Sequence, residues 1–220
     1  MQELHQKLRG CALFQGIDPE DLTGMLGCLG ARQVSVKRGQ PLFREGDPAI
    51  YLGIVLSGSV QVIREDFYGN RSIMAHIGPN QLFGESYAFS RIPTLPVSII
   101  ADEDTEVLLL DSRRVSVCCS NACSFHSQVI YNLLHLVAVN NLVLHQKIQI
   151  TSKRTTREKL MAYLLNQAKL QGSNTFTIPY DRQELADYLE VDRSGLSAEI
   201  SKLRREGVLE SEKNSFRLLQ

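Results

Sequence analysis

Residues 180–203 read Tyr180-Asp181-Arg182-Gln183-Glu184-Leu185-Ala186-Asp187-Tyr188-Leu189, then Glu190-Val191-Asp192, then Arg193-Ser194-Gly195-Leu196-Ser197-Ala198-Glu199-Ile200-Ser201-Lys202-Leu203. The spacing describes two short helices meeting across a tight turn: Leu185, Ala186 and Leu189 share the inner face of the first, and Leu196, Ile200 and Leu203 that of the second. Small Ala186 at the crossing lets the two approach closely. Glu206-Gly207-Val208-Leu209 and a hairpin turning near Lys213-Asn214 follow, which completes a winged helix-turn-helix. The second helix of such a unit fits the major groove and offers the side chains near its N-terminus to base edges. Arg193 is the residue there able to make a bidentate contact to guanine, and Ser194, Ser197, Ser201 and Lys202 lie on the same exposed side. The first helix should meet phosphate through its N-terminus and Arg182 or Gln183. Double-stranded DNA is the partner this pattern implies.

Upstream, Arg157 to Lys169 reads as an amphipathic helix through Leu160, Tyr163, Leu164 and Ala168, followed by a short strand at Phe176-Thr177-Ile178. Before it, Ile130, Leu134, Val137, Asn141, Leu144 and Ile148 recur at alternating steps of four and three, a coiled-coil seam. A single helix cannot hide such a stripe, so the seam asks for a partner, most economically a second copy of the chain, although packing on the chain's own barrel is also open. Asn141 on the seam fixes register by pairing with its mate. Gln149 to Ser152 then reads as a polar break. From about 30 to 112, glycines at 39, 46, 53, 58, 69, 78 and 84 punctuate short apolar segments. Ile54-Val55-Leu56, Ser57-Gly58-Ser59 and Val60-Gln61-Val62-Ile63 read as strand, turn and strand, and Tyr68-Gly69-Asn70-Arg71 as a further hairpin turn. Such regularity suggests a barrel or sandwich. Residues 2–29 have helical spacing, with Asp18-Pro19 as a helix start. The chain thus divides into a β-barrel with flanking helices (1–123), a dimerisation helix (124–148) and the winged unit (149–220), an α+β architecture.

Composition narrows the class. The 220 residues are 43% apolar and 22% charged with zero formal net charge, where a DNA-binding domain is usually basic. The balance splits mildly, with 12 basic against 14 acidic residues over 1–148 and 12 against 10 over 149–220, and it clusters at Lys153, Arg154, Arg157 and Lys159 and at Lys202, Arg204 and Arg205. Glu3, His5, Lys7 and Arg9 interrupt any leader-like apolar run, and no stretch is expected to span a membrane, which places the chain in the cytoplasm. Its five cysteines, an odd number, argue for reduced thiols over a disulfide framework. With no Gly-x-Ser-x-Gly, P-loop or His-Glu-x-x-His motif, an enzyme is not expected.

Barrel, long helix and winged helix-turn-helix in this order resemble the CRP/FNR family of regulators over nearly the whole chain, with Gly39, Gly46-Asp47, Gly58, Phe83-Gly84-Glu85 and Arg182-Gln183-Glu184-Leu185-Ala186-Asp187 as markers. The resemblance implies a cyclic-nucleotide-binding-like barrel of jelly-roll type, a homodimer on a palindromic operator, and RNA polymerase as a further partner. Family members often carry a second arginine one turn into the recognition helix, where this chain has Ala198. In cyclic-nucleotide-binding members an Arg-Ser pair grips the phosphate. The matching positions here are Leu95 and Pro96, so the charge-assisted contact is missing and Pro96 lacks an amide proton. Glu85 is retained. A pocket around Phe83, Gly84, Glu85, Ser86, Leu95 and Pro96 is therefore expected to take an unidentified small-molecule effector, and cyclic AMP is not expected. Arg91 lies nearby but outside the family geometry.

Two alternatives stand beside this reading. Cys119, Cys123 and His126 fall at helical spacing, so a metal, haem or thiol sensor is open, although three ligands lack a clear fourth and the expectation remains no metal. Iron-sulfur members use an N-terminal cysteine cluster, whereas only Cys11 and Cys28, far apart, precede this barrel. The winged helix of a ligand-binding module can also contact protein instead of DNA.

Overall fold

Pro19 has no amide proton to leave unpaired, so it opens a helix without penalty, and α2 (Pro19–Cys28) starts there behind α1 (Gln2–Leu8). The computed structural model describes residues 2–117 and 124–219. They group into two units, residues 1–65 with 74–141 and residues 66–73 with 142–220.

In the first unit the glycine-punctuated segments become β1 (Arg32–Val36), β2 (Pro41–Phe43), β3 (Tyr51–Ser57), β4 (Val60–Glu65), β5 (Arg71–Ile77), β6 (Leu82–Phe83), β7 (Ser98–Ala101) and β8 (Thr105–Asp111). They form two four-stranded sheets, β1-β8-β3-β6 and β2-β7-β4-β5. Val55, Val107 and Leu109 of one sheet meet Val60, Val62 and Ile99 of the other in a shared core, the barrel interior. A second core lies on the outer face of the first sheet, where Leu52, Ile54, Leu108 and Leu110 pack against Met25 and Leu29, against Val115 of α4 (Ser112–Ser116), and against Val129 and Leu133 of α5 (Ser124–Thr151).

The turn at Ser57-Gly58-Ser59 does not close a hairpin. It carries the chain from one sheet to the other, since β3 pairs with β8 and β6 while β4 pairs with β7. Gly58 adopts φ 78°, and a Cβ there would lie 2.6 Å from the Asp104 carbonyl, so the crossing needs glycine. Ser59 is held by its amide donating to Thr105 Oγ1 at 3.1 Å. The strand reading was sound locally, but alternation of apolar residues carries no information on which strand is the partner.

Gly53 faces Phe83 across the β3–β6 pair, and a Cβ built on it would stand 2.1 Å from the ring. Gly53→Ala is therefore expected to overpack the barrel and cost about 1–3 kcal/mol. Urea unfolding checks this, and an unchanged midpoint would contradict the close approach.

The long helix α5 runs through Gln149 and Ile150 to Thr151, so the polar break expected at 149–152 begins only at Ser152. Burial of Ile150 and the bond from Thr151 Oγ1 to the Lys147 carbonyl, 3.1 Å, outweigh the polar composition. A capping box of Thr155 and Glu158 then starts α6 (Thr156–Gln171). The rest of the second unit comprises β9 (Thr175–Thr177), α7 (Arg182–Leu189), α8 (Arg193–Arg205), β10 (Leu209–Glu212) and β11 (Ser215–Leu218), with the strands in the order β10-β11-β9.

Candidate nucleic-acid interface and sensor pocket

Asp181 caps α7 reciprocally with Glu184: the Glu184 amide donates to Asp181 Oδ1 at 2.9 Å, and the Asp181 amide donates to Glu184 Oε2 at 2.8 Å. Leu185, Ala186 and Leu189 are buried, and the helix ends at Glu190 in the left-handed region. Asp192 caps α8 by accepting from the Gly195 amide at 2.9 Å. Its carboxyl is held below the usual range, first by the Ser194 hydroxyl and then by the Gly195 amide. With Leu196, Ile200 and Leu203 buried, α8 exposes Arg193, Ser194, Ser201 and Lys202, while Ser197 is half-buried. The helix-turn-helix and its wing stand where the spacing placed them.

Three basic residues are engaged within the protein in ways the sequence did not suggest. Arg182, expected at phosphate, turns back on the wing: its guanidinium donates to the Lys213 carbonyl at 3.4 Å and lies 5.7 Å from the centre of the Phe216 ring. One of its terminal nitrogens is buried without a hydrogen-bond partner, and burial lowers its pKa. That leaves Gln183, exposed and bonded to Asp187 at 2.8 Å, at the start of α7. Arg157, counted in a basic cluster, is paired with Glu206 at 2.7 Å and Glu199 at 3.4 Å, which braces α6 against the recognition helix. Lys159 donates to the Leu189 and Glu190 carbonyls, both at 3.2 Å, at the open end of α7. Local spacing gave no sign of these braces.

In the barrel, Gly84 at φ 79° turns the chain from β6 into α3 (Glu85–Ala88). Glu85 is 5% exposed and accepts from Asn140 Nδ2 at 3.0 Å and from Ser86 Oγ at 3.2 Å. The expected pocket residues separate. Phe83 and Leu95 are buried in the core, Leu95 is tied by its backbone to Asp47 at 2.8 Å and Gly46 at 2.9 Å, and Pro96 is exposed. Glu85 and Ser86 instead border a cavity of about 450 Å³, closed on the other side by Leu133, Leu134 and Val137 of α5. The sequence reading missed Asn140. Its signal was a polar residue one step off the apolar stripe.

The seam residues of α5 are exposed in the single chain, Leu134 at 67% and Ile148 at 62%, with Ile130, Val137, Asn141 and Leu144 also open. Against expectation, Phe125–Thr151 is long and apolar enough to cross a membrane by length and composition alone, with mean hydropathy 1.3. Asn132, buried and donating to the Leu13 and Gln15 carbonyls, and buried Lys147 give the helix polar faces that a lipid span would not keep. Cys119 and Cys123 lie outside the described residues. His126 is buried, with Nε2 3.1 Å from the Arg114 carbonyl and Nδ1 without a partner. Among the described residues no His, Cys, Asp and Glu group is placed to hold a metal ion. Cys11 is buried, which pushes its thiol up, and Cys28 is exposed.

Residues 33–121 match the family model of the cyclic nucleotide-binding domain, and residues 158–220 that of the Crp-like helix-turn-helix domain. The chain is 34% identical over 103 residues to the cyclic AMP receptor protein of Thermus thermophilus, a match spanning 47% of this chain and 46%, under half, of that relative. It is 24% identical over 217 residues to the transcriptional activator protein FnrA of Stutzerimonas stutzeri, covering 96% of this chain and 86% of the other. Among solved structures, the c-di-GMP responsive global regulator CLP of Xanthomonas campestris shares the fold with a TM-score of 0.76 at 19% identity, over 92% of this chain and all of that one.

Proposed function

The chain belongs to the CRP/FNR family of transcription regulators and is not an enzyme, and from that premise we propose that it acts in the cytoplasm as a homodimer on a palindromic operator, under control of a small molecule bound at the barrel. The observation that carries this reading is the division of α8 into a buried face, Leu196, Ile200 and Leu203, and an open face led by Arg193. Among the described residues the Arg193 guanidinium has no partner, so it is ready for a base edge. The open stripe from Ile130 to Ile148 supports pairing with a second copy, which sets two recognition helices about one DNA turn apart, roughly 34 Å.

Cyclic AMP is not the effector on this reading. Leu95, where the family's arginine would stand, is buried in the core with its backbone bonded to Gly46 and Asp47. A cyclic phosphate placed there would lose its counter-charge in a poorly solvated site. An effector beside Glu85 competes with Asn140 for the carboxylate, and so acts on α5 directly. It can shift the helices only by its differential affinity for the two arrangements. Isothermal titration with cyclic AMP should show no binding at micromolar concentration, and a micromolar Kd would overturn this part. Activation or repression is set by operator placement relative to RNA polymerase.

The function itself is tested by selecting duplexes from a random pool. A two-fold symmetric motif is expected, with affinity falling steeply as salt rises. Failure to enrich any duplex, with or without cell extract as an effector source, would refute the reading in favour of a protein-contacting wing.

A further inference from the structure

Lys147 lies near the C-terminal end of α5 and is buried, 7% exposed, within the unit that holds the helix-turn-helix. Its ammonium donates to the carbonyl of Ile73, the third residue of β5, and stands 4.6 Å from the centre of the Tyr188 ring on α7. A buried cation is a costly choice, because a well-packed apolar side chain of similar shape is commonly neutral or stabilising at such a site. What the charge adds is direction: the ammonium meets a carbonyl and an aromatic face, each from a fixed side.

We infer that Lys147 is a positioning residue for DNA binding, whose ammonium clamps the start of β5 and the first helix of the helix-turn-helix to the end of α5. Ile73, Lys147 and Tyr188 lie in the same unit as α8, so the clamp gathers three segments distant in sequence at one atom. The inference rests on the DNA-reading function proposed above.

Titratable groups face the clamp from two neighbouring helices and the segment before α7. From α7 and its cap come Tyr188 and Glu190. From α6 come Lys159, held by the Leu189 and Glu190 carbonyls, and Tyr163, whose ring centre is 5.3 Å from that of Tyr188. Tyr180 stacks on Tyr188 at 4.8 Å. Burial pushes the Tyr163 and Tyr188 phenols up, out of the neutral range. It lowers the Lys147 amine from 10.5 to about 8, against the pull of Glu190. The clamp is therefore charged at pH 7 and largely neutral at pH 9. Between about 8 and 10.5 the unfolded chain keeps a proton that the folded chain has shed, so the Lys147 contribution makes folding more favourable as pH rises. DNA affinity should move the other way.

The test uses the duplex selected by wild type from the random pool, with Lys147→Met and Lys147→Arg alongside. Wild-type affinity should fall on the order of tenfold from pH 7 to pH 9, the scale of a lost desolvated cation–π contact. Lys147→Met should bind weakly and without that pH dependence while melting no lower than wild type, and Lys147→Arg should bind well at both pH values. A Met variant that matches wild type at pH 7, a pH fall that persists in it, or an Arg variant as weak as Met would each overturn the clamp. Hydrogen exchange without DNA separates this from the parent reading. Exchange in residues 66–73 and α7 should quicken in the Met variant, and unchanged protection there sinks the clamp even if wild type selects no duplex.

Discussion

Replacing Leu134 by Asp is expected to leave the protein folded but monomeric, with operator affinity reduced by at least about a hundredfold. Leu134 is 67% exposed in the single chain, so a carboxylate there meets water and leaves the barrel and helix intact. In a dimer the same position faces its mate across the seam, where two carboxylates would be desolvated side by side without counter-charge. Each free monomer then binds a half-site alone, and loses the gain of roughly 10²–10⁴ that linking two weak contacts supplies. Sedimentation equilibrium reads the first effect and fluorescence anisotropy on the selected duplex the second. A Leu134→Asp protein that remains a dimer would place the dimer contact elsewhere on the surface.

The apolar stripe of α5 was legible because its signal is local: residues at steps of three and four must share one side of a helix whatever the rest of the chain does. The helix-turn-helix was legible for the same reason, with Asp181, Glu184 and Asp192 marking the starts of α7 and α8 within a few residues of the buried leucines. Contacts made over distance were not. Asn140 meets Glu85 across 55 residues and Arg182 meets Lys213 across 31, and no periodicity reports either. The sheet crossing at Gly58 was hidden likewise, since its reason lies in Asp104 and Thr105. Which of the expected pocket residues border a cavity was hidden on the same ground. Phe83 packs in the barrel core and Leu95 is buried, while Glu85 and Ser86 border a cavity against α5.

These long-range contacts also show which basic side chains are engaged within the protein. Arg157, Lys159 and Arg182 are engaged within the second unit, which leaves Lys202, Arg204 and Arg205 of α8 among the exposed basic residues. A chain of zero net charge can therefore still present a basic recognition helix, because local charge sets the potential at the groove.

On that helix Arg193→Ala is expected to weaken binding to the selected operator by about 1–3 kcal/mol per half-site, roughly tenfold to a hundredfold for each, and to relax one base position in each half. The expectation follows from geometry. Arg193 is the first residue of α8, exposed, and among the described residues without a partner, so its removal breaks nothing in the folded chain. Lys202, two turns further on and exposed, is expected to meet phosphate. Lys202→Ala should weaken all duplexes alike and reduce the slope of log affinity against log salt by about one per half-site, without altering the selected motif. Repeating the selection with each variant separates the two roles. If Arg193→Ala returns the wild-type motif with every position equally sharp, base readout does not run through Arg193, and the serines at 194, 197 and 201 are the residues to replace next.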